Sequence, residues 1–86
     1  MDFEEIKRAN AEIASLRGRG QLREVIALVE ATAGKITDKD DSVAILAQSL
    51  YAAQEMKDEP LSRQFATQIL AIDPGVPSAK KALGLS

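Results

Sequence analysis

The amino-acid sequence predicts a single all-α domain. Fourteen of its 86 residues are alanine and only 3% are aromatic, which favours close-packed helices over a sheet-based core. Apolar residues recur at steps of three and four along most of the chain, as the buried stripe of an amphipathic helix requires. Short segments rich in glycine, proline or aspartate separate these runs, so we expect several helices joined by tight connections.

The first helix is predicted to begin at Asp2, because Asp2 and Glu5 form a D-x-x-E capping pattern. Gly18 and Gly20 end it, since two glycines supply the backbone freedom that a sharp reversal needs. The side chains expected on its inner face are apolar or small: Phe3, Ile6, Ala9, Ile13 and Leu16.

The second helix is predicted over about 21–33, and Gly34 terminates it. Its broad apolar face consists of Leu22, Val25, Ile26, Leu28 and Val29. Residues 34–41 form the longest connection of the chain. We expect Ile36 to tuck under this loop, because it is the one apolar side chain among residues suited to turns.

The third helix is predicted to begin near residue 41 or 42 and to continue to about 57. Its inward candidates are Val43, Ala44, Leu46, Ala47, Leu50, Ala53 and Met56. A fourth helix is expected over 60–72, because proline is favourable at a first helical position. Its inward candidates are Leu61, Phe65, Ala66, Ile69, Leu70 and Ile72. A short closing helix follows at 77–83.

The two halves of the chain carry a similar pattern, which indicates an internal repeat. The spacing of Ile6, Ala9, Ile13 and Leu16 recurs 37 residues later in Val43, Leu46, Leu50 and Ala53. In the following helices, Leu22, Ile26 and Ala27 match Leu61, Phe65 and Ala66 at a distance of 39 residues. The pattern therefore predicts two helix pairs and a short closing helix.

The end of the second pair carries a motif of its own. An apolar helix ends in Ile72-Asp73-Pro74 and restarts at Pro77, and this junction resembles the end of a tetratricopeptide repeat. The resemblance extends to the bulky, leucine, small and aromatic positions of that family. These are Val43, Leu46, Ala47 and Leu50 in the second pair, with Ile6, Ala9, Asn10 and Ile13 as counterparts in the first.

This resemblance implies an α-solenoid fragment of antiparallel helix pairs. Repeat one would cover about 2–34, repeat two about 41–74, and a capping helix about 77–83. In the first repeat, a Gly-Lys-Ile-Thr segment stands in place of the Asp-Pro step. A four-helix bundle whose halves are similar by chance is the alternative architecture.

The composition argues against several function classes. The chain contains no cysteine and no histidine, which removes the thiolate nucleophile, the usual general base and the commonest metal ligands. Adjacent carboxylates occur only at helix starts or turns, where capping and the helix dipole account for them. We therefore predict a protein that is not an enzyme and holds no cofactor or metal.

Charge and hydropathy limit the classes of partner that we expect. The net charge is −2 without a basic or acidic tail, so neither nucleic acid nor a membrane surface is an expected partner. The charged N-terminus is not a signal peptide, and no window approaches the ~18 apolar residues of a membrane span. A soluble, cytoplasmic protein is the expectation.

Arg17, Arg19 and Arg23 flank the first glycine turn. They suit either an anion site at the next helix start or a set of solvated charges at a helix end. No G-x-x-x-x-G-K-S pattern accompanies them, which favours the solvated charges.

The family resemblance implies a groove lined by the first helix of each pair. The partner-binding candidates on these faces are Lys7 and Asn10 in the first pair, with Gln48 and Tyr51 in the second. Tyr51 is the only tyrosine, and an aromatic ring with a polar tip suits peptide contact. The predicted function is non-catalytic binding of a partner protein, peptide or helix. The alternatives are that Tyr51 packs between helices, and that exposed apolar residues drive assembly of a homo-oligomer or a structural subunit.

Overall fold

The computed structural model describes residues 2–85, and 77% of these residues are helical, with no strand among them. The radius of gyration is 12.1 Å, close to the ~12 Å expected of a compact domain of this length. The all-α prediction is therefore confirmed. The five helices of this range are α1 (Phe3–Gly18), α2 (Leu22–Ala33), α3 (Lys39–Glu55), α4 (Glu59–Ile72) and α5 (Pro77–Ala82).

Aspartate side chains fix the starts of three helices. At α1, the backbone N–H of Glu5 donates to Asp2 Oδ1 at 2.8 Å, and the N–H of Asp2 donates to Glu5 Oε1 at 3.3 Å. The predicted capping box is thus confirmed. The side chains of Asp38 and Asp58 cap α3 and α4 by accepting from the N–H groups of Asp41 and Leu61. α3 therefore begins two or three residues earlier than the predicted start at 41 or 42, because Asp38 accepts the capping bond from the N–H of Asp41.

The odd-numbered helices α1, α3 and α5 all end in the same backbone reversal. The second residue after each helix adopts a positive φ, at 74° in Gly20, 58° in Lys57 and 75° in Gly84. The N–H of the next residue then bonds the carbonyl five positions back, which is the long bond of a Schellman motif. These bonds are Gln21 to Leu16 at 2.9 Å, Asp58 to Ala53 at 3.0 Å, and Leu85 to Lys80 at 2.7 Å. Lys57 lies 37 residues after Gly20, so the repeat offset extends to the turns.

Helix α3 lies at the centre of the packing. It contacts α1, α2 and α4, whereas α5 packs on α4. One continuous core results, in which the largest fully buried apolar side chains come from four helices: Ile13, Val25, Val29, Ile45, Leu50, Phe65 and Ile69. Ala79 of α5 is also fully buried, so the short closing helix is anchored to the core.

The inner face of α1 differs from prediction at its first turn. Ile6, Ala9 and Ile13 are buried, and Leu16 packs against the core as expected. Phe3, however, is 71% exposed. Its position places it beside the buried stripe, on the side of α1 that carries the exposed Lys7 and Ala14.

The inner face of α3 was predicted too narrowly. Ile45, Ser49 and Ala52 are fully buried although the single-stripe pattern left them out, whereas the predicted Ala44 is exposed. The reason is that α3 is enclosed by both α2 and α4, so it needs two buried faces. Ser49 is compatible with burial because its hydroxyl donates to the Leu46 carbonyl at 2.7 Å.

Burial also tests the repeat offsets. The four pairs at 37 residues are buried or half-buried in both α1 and α3. The offset of 39 for α2 and α4 is wrong, since Ala27 is exposed while its partner Ala66 is fully buried. An offset of 40 matches the buried positions instead: Val25, Ile26 and Val29 with Phe65, Ala66 and Ile69.

The long connection between α2 and α3 folds over Ile36 as predicted. Ile36 is buried, and its carbonyl accepts a hydrogen bond from the Ser42 hydroxyl at 3.3 Å. The loop is thereby tied to the first turn of α3.

Candidate partner-binding surface

Lys7 and Asn10 lie on an exposed stripe of α1. Together with Phe3, Ala14 and Arg17 they recur at steps of four and three, so they share one side of the helix. The side chains of Lys7, Asn10 and Ala14 are exposed, and Arg17 is half-buried. This stripe runs beside the buried stripe of α1 and presents both charged and small side chains.

Gln48 and Tyr51 lie on a matching stripe of α3. Ala44 precedes them by one helical turn and Glu55 follows by one turn. Both predicted residues are half-buried, while Ala44 and Glu55 are exposed. Tyr51 is therefore neither sealed into the core nor free in solvent.

Arg17 joins the two stripes. Its Nη1 donates to Gln48 Oε1 at 2.9 Å, and its Nη2 donates to Glu55 Oε1 at 3.0 Å. The guanidinium carbon lies 5.7 Å from the centroid of the Tyr51 ring, within the range of a cation–π contact. We call Arg17, Gln48, Tyr51 and Glu55 the Arg17 cluster, and the two stripes together the α1/α3 surface.

The Arg17 cluster orders side chains more than it stabilises the fold. The Arg17 and Glu55 side chains are 32% and 49% exposed, so water screens their attraction, and such pairs contribute about 0.2–1 kcal/mol. The cation–π contact adds a similar amount, about 0.5–1 kcal/mol at an exposed site. The Arg17 Nε is buried without a hydrogen-bond partner, which offsets part of this gain. What remains is geometric: Arg17 fixes the positions of Gln48 and Tyr51.

The structure brings two of the four predicted binding residues together. Gln48 and Tyr51 both contact Arg17, whereas Lys7 and Asn10 lie further along the α1 stripe and take no part in the cluster. Sequence reasoning missed Arg17 by assigning it to the solvated charges of the glycine turn. Arg17 lies seven residues, or about two helical turns, after Asn10, and this spacing predicts that both lie on the exposed stripe of α1.

The other two arginines of the turn differ from Arg17. Arg19 Nε donates weakly to the Ser15 carbonyl of its own helix at 3.4 Å, and both Arg19 and Arg23 are exposed. The expectation of solvated charges therefore holds for these two side chains and is wrong for Arg17.

The acidic side chains do not converge. Within residues 2–85, no group of three or more carboxylates lies close enough to hold a metal ion. The carboxylate of Asp38 instead caps α3. Over the same residues, none of the helices is long and apolar enough to cross a membrane.

Comparison with known proteins adds no relative, because no protein-family model, curated protein or solved structure matches this chain. Function is therefore inferred from the α1/α3 surface itself.

Proposed function

We propose that this protein is a non-catalytic interaction module that binds a partner peptide or helix on the α1/α3 surface. The observation that carries the proposal is the Arg17 cluster, in which Arg17 of α1 lies over the half-buried ring of the single tyrosine, Tyr51 of α3. An aromatic anchor that is fixed before binding loses little conformational entropy when a partner arrives. Such anchors dominate binding at protein interfaces.

The proposed architecture behind this surface is a pair of stacked antiparallel helix hairpins, similar to tetratricopeptide repeats. Two observations support it. Each helix contacts the next one along the chain, and α1 also contacts α3. The identical reversals at Gly20 and Lys57 further support two equivalent units, with α1 and α3 as the first helix of each.

The side chains of the surface suit a peptide or helix as the occupant. Ala14 and Ala44 are exposed and small, so a partner backbone can approach both helices closely. Lys7, Asn10 and Gln48 supply donors and acceptors that orient a polypeptide. We expect affinity to come from contact with the Tyr51 ring, and register to come from the amides and Lys7.

The proposal is tested by selecting ligands from a displayed library of random peptides against the immobilised protein. A selected peptide is titrated into isotope-labelled protein, and amide shifts are expected at Lys7, Asn10, Gln48 and Tyr51. Replacing Tyr51 with alanine should raise the Kd of the selected peptide by at least about tenfold, as expected for loss of an aromatic anchor.

Two matched variants control this experiment. Tyr51→Phe keeps the ring and should retain most of the affinity, which separates ring contact from hydroxyl contact. Gln68→Ala changes an exposed residue of α4 and should leave the Kd unchanged. Circular dichroism verifies that each variant is folded. Selected peptides that shift other residues and bind Tyr51→Ala as tightly as the original protein would contradict the proposal.

A further inference from the structure

The short helix α5 repeats the burial pattern of the first turns of α3. Residues 77–81 show the same succession of exposed, half-buried and buried side chains as residues 40–44, which lie 37 positions earlier. Lys81 corresponds to Ala44, and both are exposed. The offset is the one that relates the inner stripes of α1 and α3, so α5 corresponds to the first part of those two helices.

The end of α5 lies close to the end of α3. Gln54 of α3 and Ala82 of α5 line one open depression of about 350 Å³. Gln54 lies 37 residues after Arg17, the side chain through which α1 contacts α3. α5 therefore adjoins α3 at the place that corresponds to the contact of α1 with α3.

Lys81 continues the α1/α3 surface onto a third helix. Lys7 of α1, Ala44 of α3 and Lys81 of α5 follow one another at intervals of 37 residues, and all three side chains are exposed. Lys7 and Ala44 belong to the α1/α3 surface. The shared register therefore assigns Lys81 to the same side of its own helix.

The α5 end of this surface is basic. Lys80 and Lys81 are the only charged residues between 74 and 85. Within residues 2–85, no carboxylate lies within ion-pair distance of either lysine. Asp73 is the nearest acidic residue before them in the chain, and its Oδ1 accepts a hydrogen bond from the Gly75 N–H at 3.0 Å.

The acidic residues of the neighbouring helices leave Lys81 without a counter-charge. Glu59 of α4 lines the depression at the end of α5, and Lys57 lines it as well. Asp40, at the start of α3, is separated from Gln54 by about 20 Å along the helix axis. An anionic group that reaches Lys81 thus meets an ammonium group that has no ion pair.

We propose that the partner is an extended peptide that crosses α1, α3 and α5, with an apolar side chain at Tyr51 and a carboxylate at Lys81. The peptide is the ligand of the proposed function, on which this inference rests, and the third helix adds its direction and its charge. A partner helix lying along α1 and α3 would not reach Lys81. Neighbouring packed helices are about 10 Å apart, and an extended chain spans this distance in about three residues. We therefore expect the acidic residue about three residues from the apolar anchor, on the same side of it in every ligand.

The test uses the full chain and peptides selected from the random library. Their sequences should share an acidic residue on one side of the apolar anchor. Lys81→Glu should raise the Kd of such a peptide about three- to tenfold at low ionic strength, because attraction becomes repulsion. The matched control is Arg63→Glu, which changes the net charge equally at an exposed site on α4 and should leave the Kd unchanged.

The decisive measurement exchanges the charges of the two partners. A peptide whose acidic residue is replaced by lysine should bind the original protein and Arg63→Glu more weakly than the selected peptide does. The same lysine peptide should bind Lys81→Glu more tightly than it binds the original protein. A lysine peptide that binds all three proteins equally overturns the contact with Lys81.

The possible outcomes distinguish failure of this contact from failure of the proposed function. A Kd that depends on Tyr51 but not on Lys81 overturns the three-helix contact alone, and a Kd that depends on neither residue contradicts both proposals. Lys81 also lies in the last turn of α5, where a cation stabilises a helix. If Lys81→Glu lowers the Tm and leaves the Kd unchanged, the lysine serves only the helix end and the contact is overturned. Lys81→Gln, which removes the charge without reversing it, should remain folded by circular dichroism and raise the Kd less than Lys81→Glu does.

Discussion

Helices α1 and α3 share one pattern and have different places in the fold. Their inner stripes correspond at 37 residues, and both end in the same reversal. The difference lies on a second face. Ile45, Ser49 and Ala52 are buried in α3, whereas the residues 37 positions earlier in α1 are exposed: Arg8, Glu12 and Ser15. The two helices share an inner stripe, but α3 lies at the centre of the fold and α1 at its edge, because the second face of α3 is apolar or small and that of α1 is polar.

Because of this difference, the two helices have different roles in the structure. α3 is enclosed on two sides and provides a rigid base for Gln48 and Tyr51. α1 contacts α2 and α3 and keeps a polar outer face. Arg17 is the side chain through which the edge helix positions groups on the central one.

The largest expected contrast is between matched positions on the second faces. Ile45→Ala should lower the free energy of unfolding by about 2–5 kcal/mol, because it leaves a cavity in a fully buried site. Arg8→Ala, 37 residues earlier, should change it by no more than about 0.5 kcal/mol. Urea unfolding followed by circular dichroism measures both. Equal losses would show that α1 is enclosed as α3 is.

A smaller effect is expected at the matched reversals. Lys57 has a φ of 58°, which is strained for a residue with a side chain, so Lys57→Gly should stabilise the fold by about 1 kcal/mol. Gly20→Lys should cost a similar amount, although its added Cβ meets no atom within 4 Å. The control is Gly34→Ala, where φ is −68° and no such cost arises. Thermal unfolding in which Lys57→Gly is neutral or destabilising would contradict the equivalence of the two turns.

The smallest effect is the coupling between α1 and α3. A double-mutant cycle with Arg17→Met and Glu55→Gln should give about 0.2–1 kcal/mol, because both side chains are partly exposed. The coupling should decrease as salt is added. A cycle with Arg19→Met in place of Arg17→Met should give almost none, since Arg19 bonds its own helix. A salt-independent coupling would mean that packing, and not the ion pair, joins the helices.

Local chemistry made most helix positions predictable. Asp2 and Glu5 fix the start of α1 by bonds within one turn, so the pattern alone contains the information. The start of α3 differed from the prediction because three aspartates lie close together there. Asp38 holds the capping position, and a single sequence does not distinguish it from Asp40 or Asp41.

The features that were not predicted from the sequence depend on contacts between residues far apart along the chain. Ser49 and Ala52 are too polar or too small to signal burial, and they are buried because α3 has helices on two sides. Phe3 is three residues before the buried Ile6, but it lies on the side of α1 that carries the exposed Lys7 and Ala14. The contacts of Arg17 span 31 and 38 residues, a distance over which helical periodicity carries no information.

The position of Tyr51 has a practical consequence for spectroscopy. The chain contains no tryptophan and no other tyrosine, so near-ultraviolet absorption and emission come almost entirely from this one ring. The ring lies half-buried beneath the Arg17 guanidinium. Its signal is therefore a built-in optical reporter of the α1/α3 surface, and no dye or engineered label is needed to follow that surface.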